Sequence, residues 1–347
     1  MSNAFRELLQ KIGSGVHTGE NLNRQEAAEA MRMMLLQLAT PAQIGAFLIA
    51  HRIKRPTGEE LAGMLDTYYE LGPQLQPVDS SPPVVVLGCP YDGRSRTAPV
   101  TAIVALLLAA AGQPVVMHGG DRMPTKYGIP AIEIWQGLGA DWTTLSLPEV
   151  QNVLAKTGLA FVYLPKHFSQ AASLVPYRDQ IGKRPPLATM ELIWAPVAAP
   201  HHIAAGFVHP PTENMFRDAL ALHGVENFTT VKGLEGSCDL PRERTAIVGS
   251  IDNNKFDRLH LNPRDYGFGG HNPPLSSTAE LLENLQALLQ GQPSQLMQSA
   301  LWNGGFYLWR FGLASSLEEG FATAETLLAS GKVALKLQEL NLAIGSV

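Results

Sequence analysis

Apolar residues recur at helical spacing through about the first seventy positions, and polar side chains mark where the helices begin. Asn23 with Glu26 and Thr57 with Glu60 stand three apart, the spacing at which two side chains satisfy the free amides of a helix start. Thr40-Pro41 marks another start, with proline at the first helical position, where its missing N–H is no loss. The pattern predicts about four short helices ending near Leu71, too few to enclose a large core, so they pack against something else. Gly72 to Pro83, with four prolines and two serines, reads as a linker.

Beyond the linker the period changes. Val84 to Leu87 is a short β-branched run, followed by a polar loop to Arg96 and a long apolar helix from about Thr97 to Ala111. Gln113–His118 reads as a second buried strand, Lys126–Leu138 as a helix and Leu159–Leu164 as a third strand. This alternation predicts an α/β domain with a central, partly parallel sheet flanked by helices. Ligands of such sheets sit where loops leave the carboxyl ends of strands, which selects Gly88–Arg96, Gly119–Thr125 and Pro165–Gln170. Segments near Ile193, Ala204–Val208, Phe228–Val231 and Thr245–Ile251 are further strand candidates, and the chain from Ser276 onward reads as helical.

Composition narrows the function. At about 150 residues per domain the 347 residues predict two or so domains. Against 31 acidic residues the 26 Lys and Arg leave a net charge of −5, so any polyanion site must be local. Two cysteines, Cys89 and Cys238, point to a reducing cytoplasm and exclude a disulfide framework or a thiolate zinc site; they read as buried, unrelated thiols. The longest apolar run, Ala98–Val116, is broken by Pro99, Gly112 and Pro114, so no membrane span is predicted, and the first ten residues carry no export signal. His201, His202 and His209 lack partners at ligand spacing, and Trp302, Phe306, Trp309 and Leu313 form a core stripe.

The stretches Asn23–Ala28, Thr40–Arg52, Ala314–Gly320 and Ala329–Lys332 occur in the order seen in the anthranilate phosphoribosyltransferase family, a glycosyltransferase family that includes pyrimidine-nucleoside phosphorylases, and the chain resembles that family over nearly its whole length. The resemblance implies a helical dimerisation domain, residues 1–72, joined by a segment near 166–190. It implies an α/β domain, residues 73–347, with the ligand cleft at the junction. It also implies a homodimer that binds phosphoribosyl diphosphate or another anionic small molecule with Mg²⁺ as cofactor.

The catalytic motifs depart from the family. Its glycine-rich diphosphate loop corresponds to Gly88-Cys89-Pro90-Tyr91-Asp92-Gly93, continuing through Arg94, Arg96 and Thr101. Gly88, Asp92, Gly93 and Thr101 remain, but proline and tyrosine replace two glycines, removing an N–H donor and filling space that backbone should offer to phosphate. In the second motif His118 and Gly119 survive, while Met117 and Asp121 replace basic residues; Lys126 matches a basic position further on. Of the family's Mg²⁺-holding acidic pair, Cys238 replaces one member and Asp239 remains, with Glu235 as a compensating ligand. Arg184 corresponds to the arginine that contacts anthranilate.

These departures resemble a divergent second branch of the family and predict altered or lost anthranilate activity. Two functions follow, beside a third reading in which the helical domain docks a protein partner and the cleft is vestigial. One is phosphoribosyl transfer to an aromatic or other amine acceptor. The other is a non-catalytic basic cleft in which Arg94, Arg96, Lys126, Lys183 and Arg184, with Lys166 and His167 nearby, hold single-stranded nucleic acid or another polyanion. Asp92 reads equally as a turn residue and a ligand. His118 reads more often as a core residue than a ligand, and Asp121 as the ion-pair partner of Arg122.

Overall fold

The computed structural model describes residues 3–15, 17–78, 82–198, 200–253 and 255–346. It opens with four helices, α1 (Asn3–Gly13), α2 (Arg24–Leu35), α3 (Pro41–Lys54) and α4 (Gly58–Leu71). The three marked starts are as read: Asn23, Thr40 and Thr57 each accept from the amide three residues on, and Glu26, Gln43 and Glu60 return the bond. Each such cap is worth roughly 1 kcal/mol. Part of the linker, 79–81, lies outside the described residues.

Strand β1 (Val84–Leu87) leads to α5 (Thr101–Ala110), then β2 (Val115–Gly119), α6 (Ala131–Gly137), α7 (Leu147–Thr157) and β3 (Leu159–Tyr163). Four short helices follow, α8 (Leu164–His167), α9 (Ser169–Ala172), α10 (Val175–Ile181) and α11 (Leu187–Met190). The chain continues through β4 (His201–Gly206), α12 (Pro210–Leu222), β5 (Phe228–Val231), β6 (Ala246–Asp252) and β7 (Lys255–Leu261). It ends with α13 (Thr278–Leu289), α14 (Met297–Arg310), α15 (Leu317–Ala329) and α16 (Lys332–Gly345).

The strands form one seven-stranded sheet in the order β3-β2-β1-β4-β5-β6-β7. The first five in that order run parallel, and β6 and β7 are added antiparallel. Because the chain moves outward from β1 to β3 and then crosses to β4 on the other flank, the topological switch point lies between β1 and β4. Loops diverge there and leave a crevice at the carboxyl ends of the strands. Helix α5 is buried along nearly its whole length between the sheet and the helices α14 and α16, which is why it is apolar all round.

Several boundaries differ from the sequence reading. Helix α5 starts at Thr101 because the amides before it are taken by distant carboxylates: Thr97 N donates to Glu235 and Val100 N to Asp239. Helix α6 starts at Ala131 because Ile129 pairs with Arg94 as an isolated bridge. The stretch near Ile193 is a 3-10 turn, Glu191–Ile193, and not a strand. Strand β7 gives no strand signal in the sequence because Leu261 is its only buried residue, leaving a largely polar run without alternation.

The bundle and the sheet meet through rings and a returning segment. Tyr68 on α4 packs edge-on against Phe168 at 5.0 Å and Trp194 at 5.4 Å. Helix α10 packs on α3, and the Tyr177 hydroxyl donates to Gln37 at 2.7 Å. Among the described residues no helix is long and apolar enough to cross a membrane.

Candidate functional site

The loop after β1 is shaped by two glycines. A Cβ on Gly88 would sit 2.6 Å from the Leu192 carbonyl oxygen and 3.1 Å from that of Ala204, so only glycine lets β1 close against its neighbours. Gly93 has φ +73°, and a Cβ there would meet the Gly128 carbonyl at 2.5 Å. From this turn the loop is zipped to the segment before α6: Gly128 N donates to Asp92 O, and Arg94 and Ile129 exchange both backbone bonds.

The zipping drives the Arg94 side chain inward, leaving the residue 2% exposed. One guanidinium nitrogen, Nη1, donates to Ser237 Oγ and Asp239 Oδ2, each at 2.8 Å, and Nη2 to Thr97 Oγ1 at 2.5 Å. Its Nε lies 3.4 Å from Glu235 Oε1. Asp239 is also held by Val100 N at 3.1 Å and the Thr101 hydroxyl at 2.8 Å. Glu235 accepts from the amides of Ser95, Arg96 and Thr97 and from Lys126 Nζ at 2.6 Å. Burial would raise the Glu235 carboxyl, but Lys126 and then the Arg96 and Thr97 amides outweigh it and hold it well below the usual range.

The remaining loop space is filled from the other side. Tyr91 is buried and hydrogen-bonded to Nδ1 of His118, whose imidazole burial depresses to about 4, so the ring is neutral at physiological pH. Beside Cys89, Pro90, Arg94 and Thr101 a cavity of 20 Å³ remains, room for about one water. Burial, followed by the charge of Asp239, pushes the Cys89 thiol up to about 12. The Cys238 thiol also lies well above its ordinary value, chiefly through burial, so neither is a thiolate at neutral pH.

The carboxylates do not fit a divalent cation as they stand. Glu235 and Asp239 are already neutralised by Arg94 and Lys126, and Mg²⁺ would be placed beside a buried guanidinium. Among the described residues no group of three His, Cys, Asp or Glu is arranged to hold a metal ion.

The predicted basic cleft is only partly assembled. Arg94 is buried, and Lys126 is bound to Gly93 O and Glu235. The Arg184 guanidinium lies 3.7 Å from Asp92 and donates to Ala188 O. Lys166 and His167 are tied to the carbonyls of Thr144 and Leu145. Lys183 is exposed, and the Arg96 side chain is 79% exposed at 3.8 Å from Glu235. Gly119 ends β2 beneath the Tyr91 ring. Asp121 accepts from the Tyr163 hydroxyl, not from Arg122, which pairs with Glu133 through two bonds.

Sequence reasoning missed Arg178 and Glu191. They form a fully buried ion pair, Nη1 to Oε2 at 3.0 Å with a second bond from Nη2, and line a cavity of 290 Å³ at the ends of β2 and β3. Neither residue sits in a local motif, so only their burial in the fold reveals them.

Comparison with known proteins agrees with this architecture. Residues 6–72 match the helical bundle domain of a glycosyl transferase family and residues 92–334 its a/b domain. The chain is 26% identical over 318 residues to the anthranilate phosphoribosyltransferase of Verminephrobacter eiseniae, covering 91% of this chain and 92% of that one. To its counterpart in Chromobacterium violaceum it is 28% identical over 330 residues, covering 93% and 94%. Among solved structures, anthranilate phosphoribosyltransferase from Thermus thermophilus superposes with a TM-score of 0.81 at 22% identity over 99% of this chain and 100% of that one. The Saccharomyces cerevisiae enzyme in complex with PRPP and Mg gives 0.80 at 17% over 100% and 99%.

Proposed function

Because the chain belongs to the glycosyl transferase family, carrying both its helical-bundle and its a/b domain, we propose that it is an anthranilate phosphoribosyltransferase-like protein. The chemistry of its cleft is pentosyl transfer from an anionic ribosyl donor to an aromatic or other amine acceptor, with the donor side rebuilt so that intact anthranilate activity is not expected. The curated relatives support the chemistry by their names. The observation that carries the rebuilding is Arg94, seated between Glu235 and Asp239 where a divalent ion would need those carboxylates free.

In such a transfer the protein supplies orientation and electrostatic stabilisation of an oxocarbenium-like centre. Gly88 and Gly93 shape the loop, and Asp92, Arg94 and Thr101 lie on it or at the start of α5. His118 with Gly119 and Lys126 faces it from the β2 side, and Arg184 reaches it through Asp92. The carboxylates that would hold Mg²⁺, Glu235 and Asp239, are paired from within the chain with Arg94 and Lys126. By the same reading residues 1–72 mediate dimerisation, which the exposed Ile53 and Leu38 of the bundle support, and the cleft lies where they meet residues 73–347.

Calorimetric titration with phosphoribosyl diphosphate, with and without Mg²⁺, tests this. Weak, Mg²⁺-independent binding is expected, and micromolar Mg²⁺-dependent binding overturns the rebuilt donor side. The exposed Arg96 and Lys183 favour one second reading, a polyanion site for single-stranded nucleic acid. It requires oligonucleotide affinity that falls steeply with salt and on Arg96→Ala.

A further inference from the structure

The segment after β5 passes through a 3-10 turn, Leu234–Gly236, and carries Glu235 in a left-handed backbone conformation, φ 55° and ψ 25°. A residue with a side chain resists that conformation and keeps it only where its surroundings over-determine it. Here the surroundings are hydrogen-bond donors. One carboxylate oxygen, Oε2, accepts from Ser95 N at 3.1 Å and lies 2.6 Å from Lys126 Nζ, with the Ser95 hydroxyl at 3.4 Å. The other, Oε1, accepts from Arg96 N at 3.0 Å and from the amide and hydroxyl of Thr97, each at 2.9 Å, with Arg94 Nε at 3.4 Å.

Successive amides that converge on one anion form a nest. A carboxylate offers about four lone-pair directions on its two oxygens, and the amides, hydroxyls and cations around Glu235 outnumber them. A phosphate group, with three accepting oxygens and about two negative charges, would use the surplus. The charge balance points the same way. Asp239 matches Arg94, so without Glu235 the charges of Lys126 and Arg96 would face the amides with no carboxylate against them among the described residues. The nest is also open to solvent, because Ser95 and Arg96 are exposed. The Glu235 side chain enters it from the protein side and is 3% exposed.

We propose that residues 95–97 with Lys126 and Arg96 form a binding nest for a phosphate group, and that Glu235 is its resident occupant, an internal anion that keeps external ones out. Glu235 is thereby the specificity-determining residue of the loop after β1. That the anion kept out is the diphosphate of a ribosyl donor rests on the proposed function; the occupancy itself does not.

Glu235→Gly removes the occupant and suits the left-handed backbone. Inorganic phosphate is the probe, titrated by calorimetry into the full-length chain without metal, at an ionic strength held constant with chloride. The variant should bind phosphate at least about tenfold more tightly than the unaltered protein, and phosphate should raise the melting temperature of the variant alone. Lys126→Met in the Glu235→Gly background should abolish the gain. Glu235→Gln keeps the shape and an accepting oxygen but loses the charge, so its gain should be smaller, about threefold, which keeps the test open if the glycine variant does not fold. Phosphate affinity that is equal with and without the Glu235 carboxylate, or absent from both, overturns the proposal. If the glycine variant takes phosphate but not phosphoribosyl diphosphate, the transferase reading alone falls.

Discussion

Arg94 Nη1 lies 2.8 Å from the Asp239 carboxylate, with Glu235 3.4 Å from Nε of the same guanidinium. A cation covalently part of the loop after β1 thus neutralises two carboxylates on the segment after β5. Loop and segment are held together by groups that cannot dissociate.

Arg94→Met should expose this dependence. Removing one partner of a buried pair strands the other, at about 3–5 kcal/mol. The same variant should gain affinity for Mn²⁺ at Glu235 and Asp239, so that Mn²⁺ raises its melting temperature but not that of the unaltered protein. Equal Mn²⁺ responses in the two proteins would refute this.

Acid should weaken the bundle. Burial would raise the Glu60 carboxyl, but His51 and Lys54 together with the Leu22 amide bring it down to about 2. A carboxyl whose folded value lies below its unfolded value of about 4.5 stabilises fully above that value, and the contribution disappears as pH falls through the folded one. Between about pH 5 and 2 this group accounts for about 3 kcal/mol. Denaturation curves across that range should flatten in Glu60→Gln.

Tyr91→Phe removes the bond to His118 but keeps the ring, and should cost about 1 kcal/mol. Tyr91→Ala leaves a void and should cost about 3–5 kcal/mol. Neither variant alone should bind phosphoribosyl diphosphate with Mg²⁺ dependence, since Arg94 still occupies the carboxylates. Urea unfolding gives the first two values and calorimetry the third.

Gly88→Ala should destabilise by about 1–3 kcal/mol, because the added methyl meets the carbonyls of Leu192 and Ala204, which are backbone and cannot swing aside. Urea unfolding of the variant beside Gly345→Ala, where the added methyl meets nothing within 4 Å and the backbone is not at positive φ, separates this crowding from the effect of losing a glycine.

The parts legible in the sequence are those fixed by neighbours along the chain. The capping pairs at Asn23, Thr40 and Thr57 act over three residues, and β1 to β3 announce themselves as short apolar runs. Strand β7 is hidden by its polar run, and the Ile193 segment looks like a strand because its apolar residues are buried against β4 and α11 without pairing into the sheet. At the site the motif positions were readable but the partners were not. Arg94 and Arg96 look alike in sequence, yet a carboxylate 145 residues further on buries the first, while the second stays in water. Arg178 and Glu191 form their pair only once α10 is folded beside the turn after α11.

The segment α8 to α11 leaves the sheet at β3, lays α10 on α3 and returns to β4. The bundle is consequently completed by chain that is synthesised long after its own four helices. A ribosome-bound chain stalled before residue 182 would still lack part of the surface that covers α3. A fragment of residues 1–78 made alone would be short of the same cover, and adding the remainder in trans should rescue it by complementation.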